Sequence, residues 1–365
     1  MLNPHLIQRY KDVSQQCSHW ITGHPRLTMS EQLAEVQRLA GHYDQQDVYG
    51  TGEVIESFQR DIADQLGKPA AIFLVSGTMA QAIALRVWAE RAGIRRVGFH
   101  HTSHLQLHEH NAYRELHGLD GELLGDPQRV VSLDDLAAAG PLGAALLELP
   151  MREIGGQLPD WDDLCAQSGW AKETGTALHM DGARLWQCTP YYGRSMAEIS
   201  ALFDSIYVSF YKDIGGIAGS VLAGPEDFIE EAKTWIARAG GNLYSLFPYV
   251  LAARAGMARN LHSMPAAVAS ARWLSEVFNE QLGLATTPVQ PPTNLFHLVL
   301  QADPNELLEH AIRWSEENRV FIMPAPRPRE DGSCVLEFSL GQAIQAQETE
   351  AWEAQLKDFY GRIPL

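Results

Sequence analysis

The chain has 365 residues, of which 45% are hydrophobic and 20% charged, a composition typical of a globular protein with a large core and room for a second, smaller domain. It carries 28 Lys and Arg against 45 Asp and Glu, a formal net charge of −17, which argues against nucleic acid as a partner because such a surface repels phosphate backbones. No run approaches the roughly 20 apolar residues of a transmembrane helix, so we expect no membrane partner.

The N-terminus and the cysteines predict a cytoplasmic protein. Residues 1–10 lack the basic start and apolar run of a secretory signal. The four cysteines, Cys17, Cys165, Cys188 and Cys334, form no CxxC pair. This spacing argues against a disulfide framework or a Cys-rich zinc site and fits a reducing compartment.

The first predicted elements form a helix–strand–helix unit. Residues 1–30 are predicted to be irregular because Gly23 and Pro25 interrupt them. Residues 53–66 place apolar side chains at helical spacing and predict an amphipathic helix. The apolar run 70–75 predicts a buried strand, and residues 79–91 return to helical spacing.

Strands and helices continue to alternate as far as residue 224. Further strands are predicted at 96–100, 144–149, 176–181, 204–210 and 217–223, and helices at 132–139, 160–168 and 195–203. This alternation indicates an α/β fold with a mostly parallel sheet covered on both faces.

From about residue 255 the pattern changes to that of a smaller α/β domain. Helices are predicted near 265–282, 304–317 and 345–358, and strands near 293–301, 319–323 and 333–340. We therefore predict three parts: an irregular segment 1–30, a large domain 31–254 and a small domain 255–365.

Ser76-Gly77-Thr78 lies between the first buried strand and the following helix. A helix N-terminus offers unpaired N–H groups and positive partial charge, Gly77 lets an anion approach, and Thr78 adds a hydroxyl. The segment is a candidate phosphate site. Considered alone, the segment is better explained as an ordinary turn with a Ser or Thr cap.

The segment His179-Met-Asp181-Gly-Ala-Arg184 follows the apolar part of a predicted strand. In open α/β sheets the carboxyl ends of strands line the ligand crevice. Asp181 could keep a heteroaromatic nitrogen protonated, and Arg184 could bind a carboxylate with two hydrogen bonds. The alternative is a surface turn with an incidental ion pair.

Lys212 directly follows a predicted strand and precedes Gly215, Gly216 and Gly219. Most lysines are solvated charges. Three nearby glycines, however, suggest close packing against a bulky planar group, and a lysine in that setting can form a Schiff base with an aldehyde cofactor.

Six histidines lie between His100 and His117. His104 and His108 have the i, i+4 spacing of metal ligands, yet no HExxH pattern or acidic third ligand accompanies them. We expect no metal. One histidine could instead stack on a cofactor ring, and the others are expected to be ordinary surface and core residues.

Taken in order, these segments resemble the threonine aldolase and β-eliminating lyase family, whose members are pyridoxal-phosphate enzymes. The resemblance runs from Asp47-Val-Tyr-Gly50 through Gly224. It implies the aspartate-aminotransferase-like fold (fold type I), with a seven-stranded, mostly parallel sheet and a smaller C-terminal α/β domain. It also implies pyridoxal 5'-phosphate as cofactor and a small amino acid as substrate.

The resemblance assigns a role to each candidate residue. Lys212 matches the lysine that binds the cofactor covalently, and Asp181 matches the carboxylate that pairs with the pyridine nitrogen. Gly77 and Thr78 match the phosphate-binding pair. His104 matches the histidine that stacks on the ring and, directly or through a water, could act as base. Arg184 matches an arginine that binds the substrate carboxylate.

The substrate half departs from the family pattern. Met151 stands where threonine aldolases carry a histidine that approaches the substrate hydroxyl, and Glu337 stands where they carry a second carboxylate-binding arginine. Arg152, Arg327 or Arg329 could compensate. Because methionine is apolar, we expect a preference for a hydrophobic or bulky β-substituent over a small polar one.

The leading hypothesis is retro-aldol cleavage of a threonine- or allo-threonine-like amino acid to glycine and an aldehyde. The alternatives are pyridoxal-phosphate-dependent β-elimination, transamination or racemisation, a metal-dependent enzyme that uses the histidine run, and a catalytically silent binding protein. The resemblance also implies a homodimer or homotetramer with shared active sites.

Overall fold

A computed structural model describes residues 2–363 of the chain. The chain divides into two compact units: the larger consists of Leu27–Glu153 and Gln157–His262, and the smaller of Met1–Arg26, Ile154–Gly156 and Ser263–Leu365. Met1, Pro364 and Leu365, which the predicted terminal parts include, lie outside the described residues. No helix within residues 2–363 is both long and apolar enough to cross a membrane.

The strands of the described residues are short. In chain order they are β1 (His19–Trp20), β2 (Ala70–Leu74), β3 (Arg96–His100), β4 (Asp120–Leu124), β5 (Ala144–Glu148), β6 (Ala177–Gly182), β7 (Ser205–Ser209), β8 (Ser220–Gly224), β9 (Thr286–Thr287), β10 (Leu295–Leu300), β11 (Val320–Phe321), β12 (Arg327–Pro328) and β13 (Cys334–Ser339).

The helices separate most of these strands. In chain order they are α1 (Pro4–Gln16), α2 (Met29–Ala40), α3 (Glu53–Leu66), α4 (Gly77–Ala92), α5 (His104–Leu107), α6 (Ala112–Glu115), α7 (Leu133–Ala138), α8 (Trp161–Thr174), α9 (Thr189–Tyr192), α10 (Met196–Ser200), α11 (Glu226–Arg238), α12 (Phe247–Asn260), α13 (Met264–Glu276), α14 (Pro304–Asn318) and α15 (Thr349–Tyr360). Short 3₁₀ turns include Arg152–Ile154 and Leu185–Gln187.

The larger unit contains the predicted seven-stranded, mostly parallel sheet. Its strand order is β2-β8-β7-β6-β5-β3-β4, and only β8 runs antiparallel to its neighbours. Because β3, β5, β6 and β7 are parallel, their carboxyl ends meet at one edge, where open α/β sheets bind ligands. The predicted strand at 217–223 is confirmed as β8, although it pairs with both neighbours in the antiparallel sense.

Helix α4 shows how the local sequence fixes this edge. It begins after Ser76 and ends at Gly93, whose φ of 67° lies in the left-handed region that glycine adopts without strain. Its Ala-rich face is buried against the sheet, with Ile83 and Val87 in the same cluster as Leu222 of β8. The helix N-terminus is thereby held at the carboxyl end of β2.

The predicted irregular N-terminal segment is wrong, since residues 4–16 form α1. Asn3 caps this helix by accepting a hydrogen bond from the His5 N–H (3.0 Å), and Pro4 occupies the first position. Leu6, Tyr10 and Val13 are buried in the core of the smaller unit. Their burial makes this segment part of the smaller unit.

The smaller unit has its own four-stranded antiparallel sheet, in the order β12-β13-β10-β9. Glu337 on β13 pairs with Arg327 (3.1 Å) and lies 3.6 Å from the His297 ring on β10. The sequence suggested that Arg327 could replace the missing carboxylate-binding arginine. In the structure, however, Arg327 is already paired with Glu337.

Candidate active site

A cavity in the larger unit lies at the sheet edge where β3, β5, β6 and β7 end. It brings together four of the six predicted site residues: His104, Asp181, Arg184 and Lys212. The full lining is Thr102, His104, His108, Glu148, Arg152, Glu153, Asp181, Ala183, Arg184 and Lys212. Nine of these ten side chains are polar or charged, so the cavity is suited to an ionic ligand.

Three side chains form a row across the sheet beside this cavity. Glu148 of β5 is paired in register with Asp181 of β6, and Asp181 is paired with Tyr207 of β7. Paired positions of parallel strands point to the same face. The row therefore places two carboxyl groups and a phenol side by side, and sequence analysis gave no role to Glu148 or Tyr207.

Asp181 is buried near the end of β6. Its Oδ1 accepts a hydrogen bond from the Ala183 N–H (3.1 Å), and its own backbone carbonyl accepts one from the Leu149 N–H (2.9 Å). These contacts hold the carboxyl group at the cavity wall. A carboxylate held in this way can form a charge-assisted hydrogen bond to a protonated ring nitrogen.

Glu148 carries a perturbed carboxyl group. Burial raises its pKa, and the neighbouring Asp181 raises it further, while the Arg152 N–H, which donates to Oε1 at 3.1 Å, acts in the opposite direction. The carboxyl group can therefore hold a proton near neutral pH. A buried carboxyl group with a raised pKa is a common feature of enzyme sites.

Lys212 lies in the loop between β7 and β8 and faces the cavity. Burial lowers the pKa of its amine, and Arg184 adds to this, while Asp181 and Glu148 oppose it. Within residues 2–363 its ammonium group forms no hydrogen bond or ion pair. A half-buried amine with a lowered pKa is a candidate nucleophile for an aldehyde.

The glycines after Lys212 are required for a different structural reason from the one that the sequence suggested. Gly219 has a φ of 107°, and a Cβ there would overlap the Phe73 ring; a Cβ on Gly216 would lie 2.8 Å from the Phe210 carbonyl oxygen. These glycines accommodate neighbouring protein groups. Their presence is therefore no sign of a planar cofactor, although the lysine itself faces the cavity.

Gly77 and Thr78 begin helix α4 and are not among the described residues that line the cavity, although Gly77 lies against Tyr207, the neighbour of Asp181. The Ser76 side chain makes no capping hydrogen bond, so the first N–H groups of this 16-residue helix lack that usual partner. A Cβ on Gly77 would overlap the Tyr207 hydroxyl group. The position therefore requires glycine, and the helix terminus keeps the donors that an anion needs.

Glu109 is the carboxyl partner of His104. Its carboxyl oxygen Oε1 lies 2.8 Å from His104 Nδ1, and its side chain is almost completely buried. Burial raises the pKa of Glu109, whereas hydrogen bonds from His104 and Thr78 lower it. Glu109 was not predicted as a site residue, because its only signal in the sequence is its position between His108 and His110.

The histidines of the run have separate roles. His100 bonds the Thr102 side chain (2.8 Å) and donates to the Asp126 carbonyl oxygen (2.8 Å), and His101 bonds the Gly125 carbonyl oxygen (3.0 Å). His117 is buried. His104 and His108 reach the cavity, but each pairs with a different carboxylate, so the i, i+4 pair does not converge on one point.

One part of the cavity wall consists of His108, Arg152 and Glu153. His108 Nε2 lies 3.2 Å from Glu153 Oε1, and Arg152 Nη1 lies 3.0 Å from the same oxygen. Met151, by contrast, is buried with 3% exposure and is not among the described residues that line the cavity. The wall is therefore polar.

Comparison with known proteins finds relatives of this chain in both sequence and structure. The model of the Beta-eliminating lyase family matches residues 24–301. Low-specificity L-threonine aldolase 1 of Arabidopsis thaliana is 26% identical over 289 residues, which are 76% of this chain and 80% of the relative.

Among solved structures, a candidate L-allo-threonine aldolase from Listeria monocytogenes superposes with a TM-score of 0.91. It is 38% identical and covers 98% of this chain and 100% of its own. Serine palmitoyltransferase from Sphingomonas wittichii has a TM-score of 0.62 at 16% identity, with 98% of this chain and 82% of that chain covered, which shows a shared fold alone.

Proposed function

The chain belongs to the β-eliminating lyase family, and we propose that it splits a β-hydroxy-α-amino acid into glycine and an aldehyde. It is a pyridoxal-phosphate-dependent, threonine aldolase-like lyase of fold type I, as the resemblance implied. Threonine and allo-threonine are the proposed substrates. The convergence of Lys212, Asp181 and Arg184 on one cavity is the observation that carries the proposal.

The residues present fit pyridoxal phosphate. The Lys212 amine faces the cavity without a hydrogen-bond partner in the described chain, and the Asp181 carboxylate lies in the same cavity wall. The uncapped N-terminus of α4 supplies N–H donors for a phosphate. An amine, a carboxylate and an anion site are the three features that this cofactor needs.

We assign the covalent bond to the cofactor to Lys212 and the pairing with its pyridine nitrogen to Asp181. Gly77 and Thr78 are assigned to its phosphate. When bound, pyridoxal phosphate withdraws electrons from the substrate Cα and so stabilises negative charge there. His104, which Glu109 orients, would stack on the ring of the bound cofactor.

Arg184 is assigned to the substrate carboxylate. Its guanidinium group lines the cavity and forms no ion pair or hydrogen bond with the described residues. A planar guanidinium can bind a carboxylate through two parallel hydrogen bonds. An unpaired arginine facing a polar cavity is a strong attractor for such an anion.

We also propose a homo-oligomer that shares active sites between subunits. Val48, Tyr49, Leu243 and Tyr244 form an exposed apolar patch on the larger unit, in which the Tyr49 and Tyr244 rings meet edge to face with centroids 5.4 Å apart. Apolar patches of this kind favour burial in an interface. Sedimentation analysis of wild type and Tyr244→Asp tests this, with dissociation expected in the variant.

The proposed reaction is tested by incubating the purified enzyme, loaded with pyridoxal phosphate, with threonine and allo-threonine. Glycine is measured by chromatography and acetaldehyde by an NADH-coupled assay. Equal amounts of both products support the proposal. Formation of a 2-oxo acid with ammonia, or of the D-enantiomer, would instead assign elimination or racemisation to the same site.

A further inference from the structure

The reaction proposed above needs a base at the substrate β-hydroxyl group, and Met151 cannot supply it. Cleavage of the Cα–Cβ bond turns the β-carbon into a carbonyl carbon, so the hydroxyl proton has to leave. Met151 occupies the sequence position of the family histidine. Its thioether cannot accept a proton near neutral pH, and its side chain is buried.

His108 is placed to take over this task. Its side chain is 40% exposed and lines the cavity. It follows α5 at the position four residues after His104, and the two ring centroids lie 5.0 Å apart. His108 therefore lies beside the residue that we expect to stack on the cofactor ring.

Glu153 fixes the orientation of the His108 ring. Its Oε1 accepts a hydrogen bond from His108 Nε2 (3.2 Å) and also contacts the Arg152 guanidinium (3.0 Å). An oxygen that binds a guanidinium is an ionised acceptor, so Nε2 has to carry the hydrogen in this bond. Because Nε2 keeps its hydrogen, Nδ1 is the nitrogen with a free lone pair.

We propose that His108 is the general base for the β-hydroxyl group and that Glu153 is its positioning residue. This inference rests on the proposed function. His108 Nδ1 takes the hydroxyl proton, the O–H electron pair forms the new C=O bond, and the Cα–Cβ electron pair stays with Cα. A proton then binds Cα and completes glycine, while His108 releases its proton to water.

His104 is less suited than His108 to act as the base, because it already has the role of stacking on the cofactor ring. Its Nδ1 is bonded to the buried Glu109 carboxyl group at 2.8 Å, and this bond fixes the orientation of the ring. Arg152 and Glu153 follow Met151 directly in the chain. The segment in which Met151 stands in place of the family histidine therefore also supplies the Glu153 carboxylate, which orients His108 from another segment.

The test compares His108→Ala, Glu153→Gln and the control His110→Asn, each loaded with pyridoxal phosphate. His110 is an exposed histidine two residues away, and asparagine tolerates its positive φ of 50°. Three readouts are taken: cleavage of threonine and allo-threonine, exchange of the glycine Cα proton with D₂O followed by ¹H NMR, and glycine affinity from titration of the cofactor absorbance.

We expect His108→Ala to lose about 10²–10⁴-fold in kcat for cleavage, the range typical of a lost general base. Glycine has no β-hydroxyl group, so its proton exchange and affinity should be unchanged. Added imidazole should restore part of the cleavage activity. Glu153→Gln should lower kcat with little effect on KM, and His110→Asn should match wild type.

Two results would overturn the assignment. Wild-type cleavage by His108→Ala would show that another group accepts the proton. A parallel loss of cleavage, glycine exchange and glycine affinity would make His108 a structural residue. If wild type itself cleaves neither substrate but still binds and exchanges glycine, the proposed function fails, and the role of His108 fails with it.

Discussion

Glu148 and Asp181 are paired in register on the parallel strands β5 and β6, so that their two carboxyl groups lie side by side in the lining of the cavity. Both cannot be ionised without mutual repulsion. Burial and the charge of Asp181 raise the pKa of Glu148 above its ordinary value, and this pair should therefore influence how stability varies with pH.

The Glu148→Gln variant tests that relationship. Because the folded-state pKa of Glu148 is raised, its contribution to stability is complete below its unfolded pKa and is lost as pH rises through the folded value. The Glu148→Gln variant has no carboxyl group at this position, so its stability does not fall with rising pH for this reason. Urea unfolding at pH 5, 7 and 9 should show the variant gaining roughly 1–3 kcal/mol relative to wild type at the highest pH. Parallel pH profiles would exclude a raised pKa, and Glu226→Gln, at an exposed helix start, serves as control.

Replacement of Lys212 should remove the covalent link to the cofactor. Lys212→Ala, reduced with borohydride and digested, should show no pyridoxyl-modified peptide and no turnover. The matched control is Lys233→Ala, since Lys233 is an exposed helix residue paired with Glu230. A modified peptide that persists in Lys212→Ala would assign the link to another lysine.

Much of this architecture could be predicted from sequence because its signals are local. The helix at 53–66 and the strands at 96–100 and 144–149 were predicted almost to the residue, since apolar spacing marks buried faces directly. Strand β4 was missed because it is an edge strand in which the charged residues Asp120 and Glu122 interrupt the apolar pattern.

The site was predictable only in part for a related reason. Motifs such as Asp181-Gly-Ala-Arg184 are contiguous and can be recognised as a unit. Glu109, in contrast, is indistinguishable in sequence from a solvated glutamate, and its importance comes from burial against His104. The pairing of His108 with Glu153 joins residues 45 positions apart and depends on the turn Arg152–Ile154.

Removal of Glu109 should weaken cofactor binding through His104. Glu109→Ala leaves His104 Nδ1 without the carboxyl group at 2.8 Å, and hydrogen bonds to charged groups contribute about 1.5–3 kcal/mol. We expect the Kd for pyridoxal phosphate to rise about tenfold or more, measured by equilibrium titration of the apoenzyme. Glu109→Gln keeps an acceptor and should lose less. Equal affinities in both variants and wild type would exclude a positioning role.

Arg184→Lys should separate substrate binding from catalysis. Lysine keeps the positive charge but replaces the planar, two-pronged donor with a point charge. Loss of one of two charge-assisted hydrogen bonds predicts a KM about tenfold higher with kcat nearly unchanged. Steady-state kinetics with allo-threonine provide the measurement. A fall in kcat at constant KM would instead place Arg184 at the reacting bond.

The last prediction concerns the β-substituent of the substrate. The sequence predicted a hydrophobic or bulky group, because Met151 would have faced it. The structure contradicts this expectation, because Met151 is buried and is not among the described residues that line the cavity, whereas Thr102, His108, Arg152 and Glu153 are. A wall of hydroxyl, imidazole and charged groups disfavours an aromatic β-substituent, because an aromatic ring would desolvate these groups without replacing their hydrogen bonds, whereas the small methyl group of threonine would leave them hydrated.

We therefore expect kcat/KM for threonine or allo-threonine to equal or exceed that for phenylserine when the three are measured side by side. Met151→Leu is the informative control, since it conserves volume and should cost less than about 1.5 kcal/mol in stability. If Met151 does not contact the substrate, this change leaves the ratio of the three kcat/KM values as in wild type. A clear preference for phenylserine that shifts in Met151→Leu would return the methionine to the substrate pocket and restore the expectation drawn from sequence.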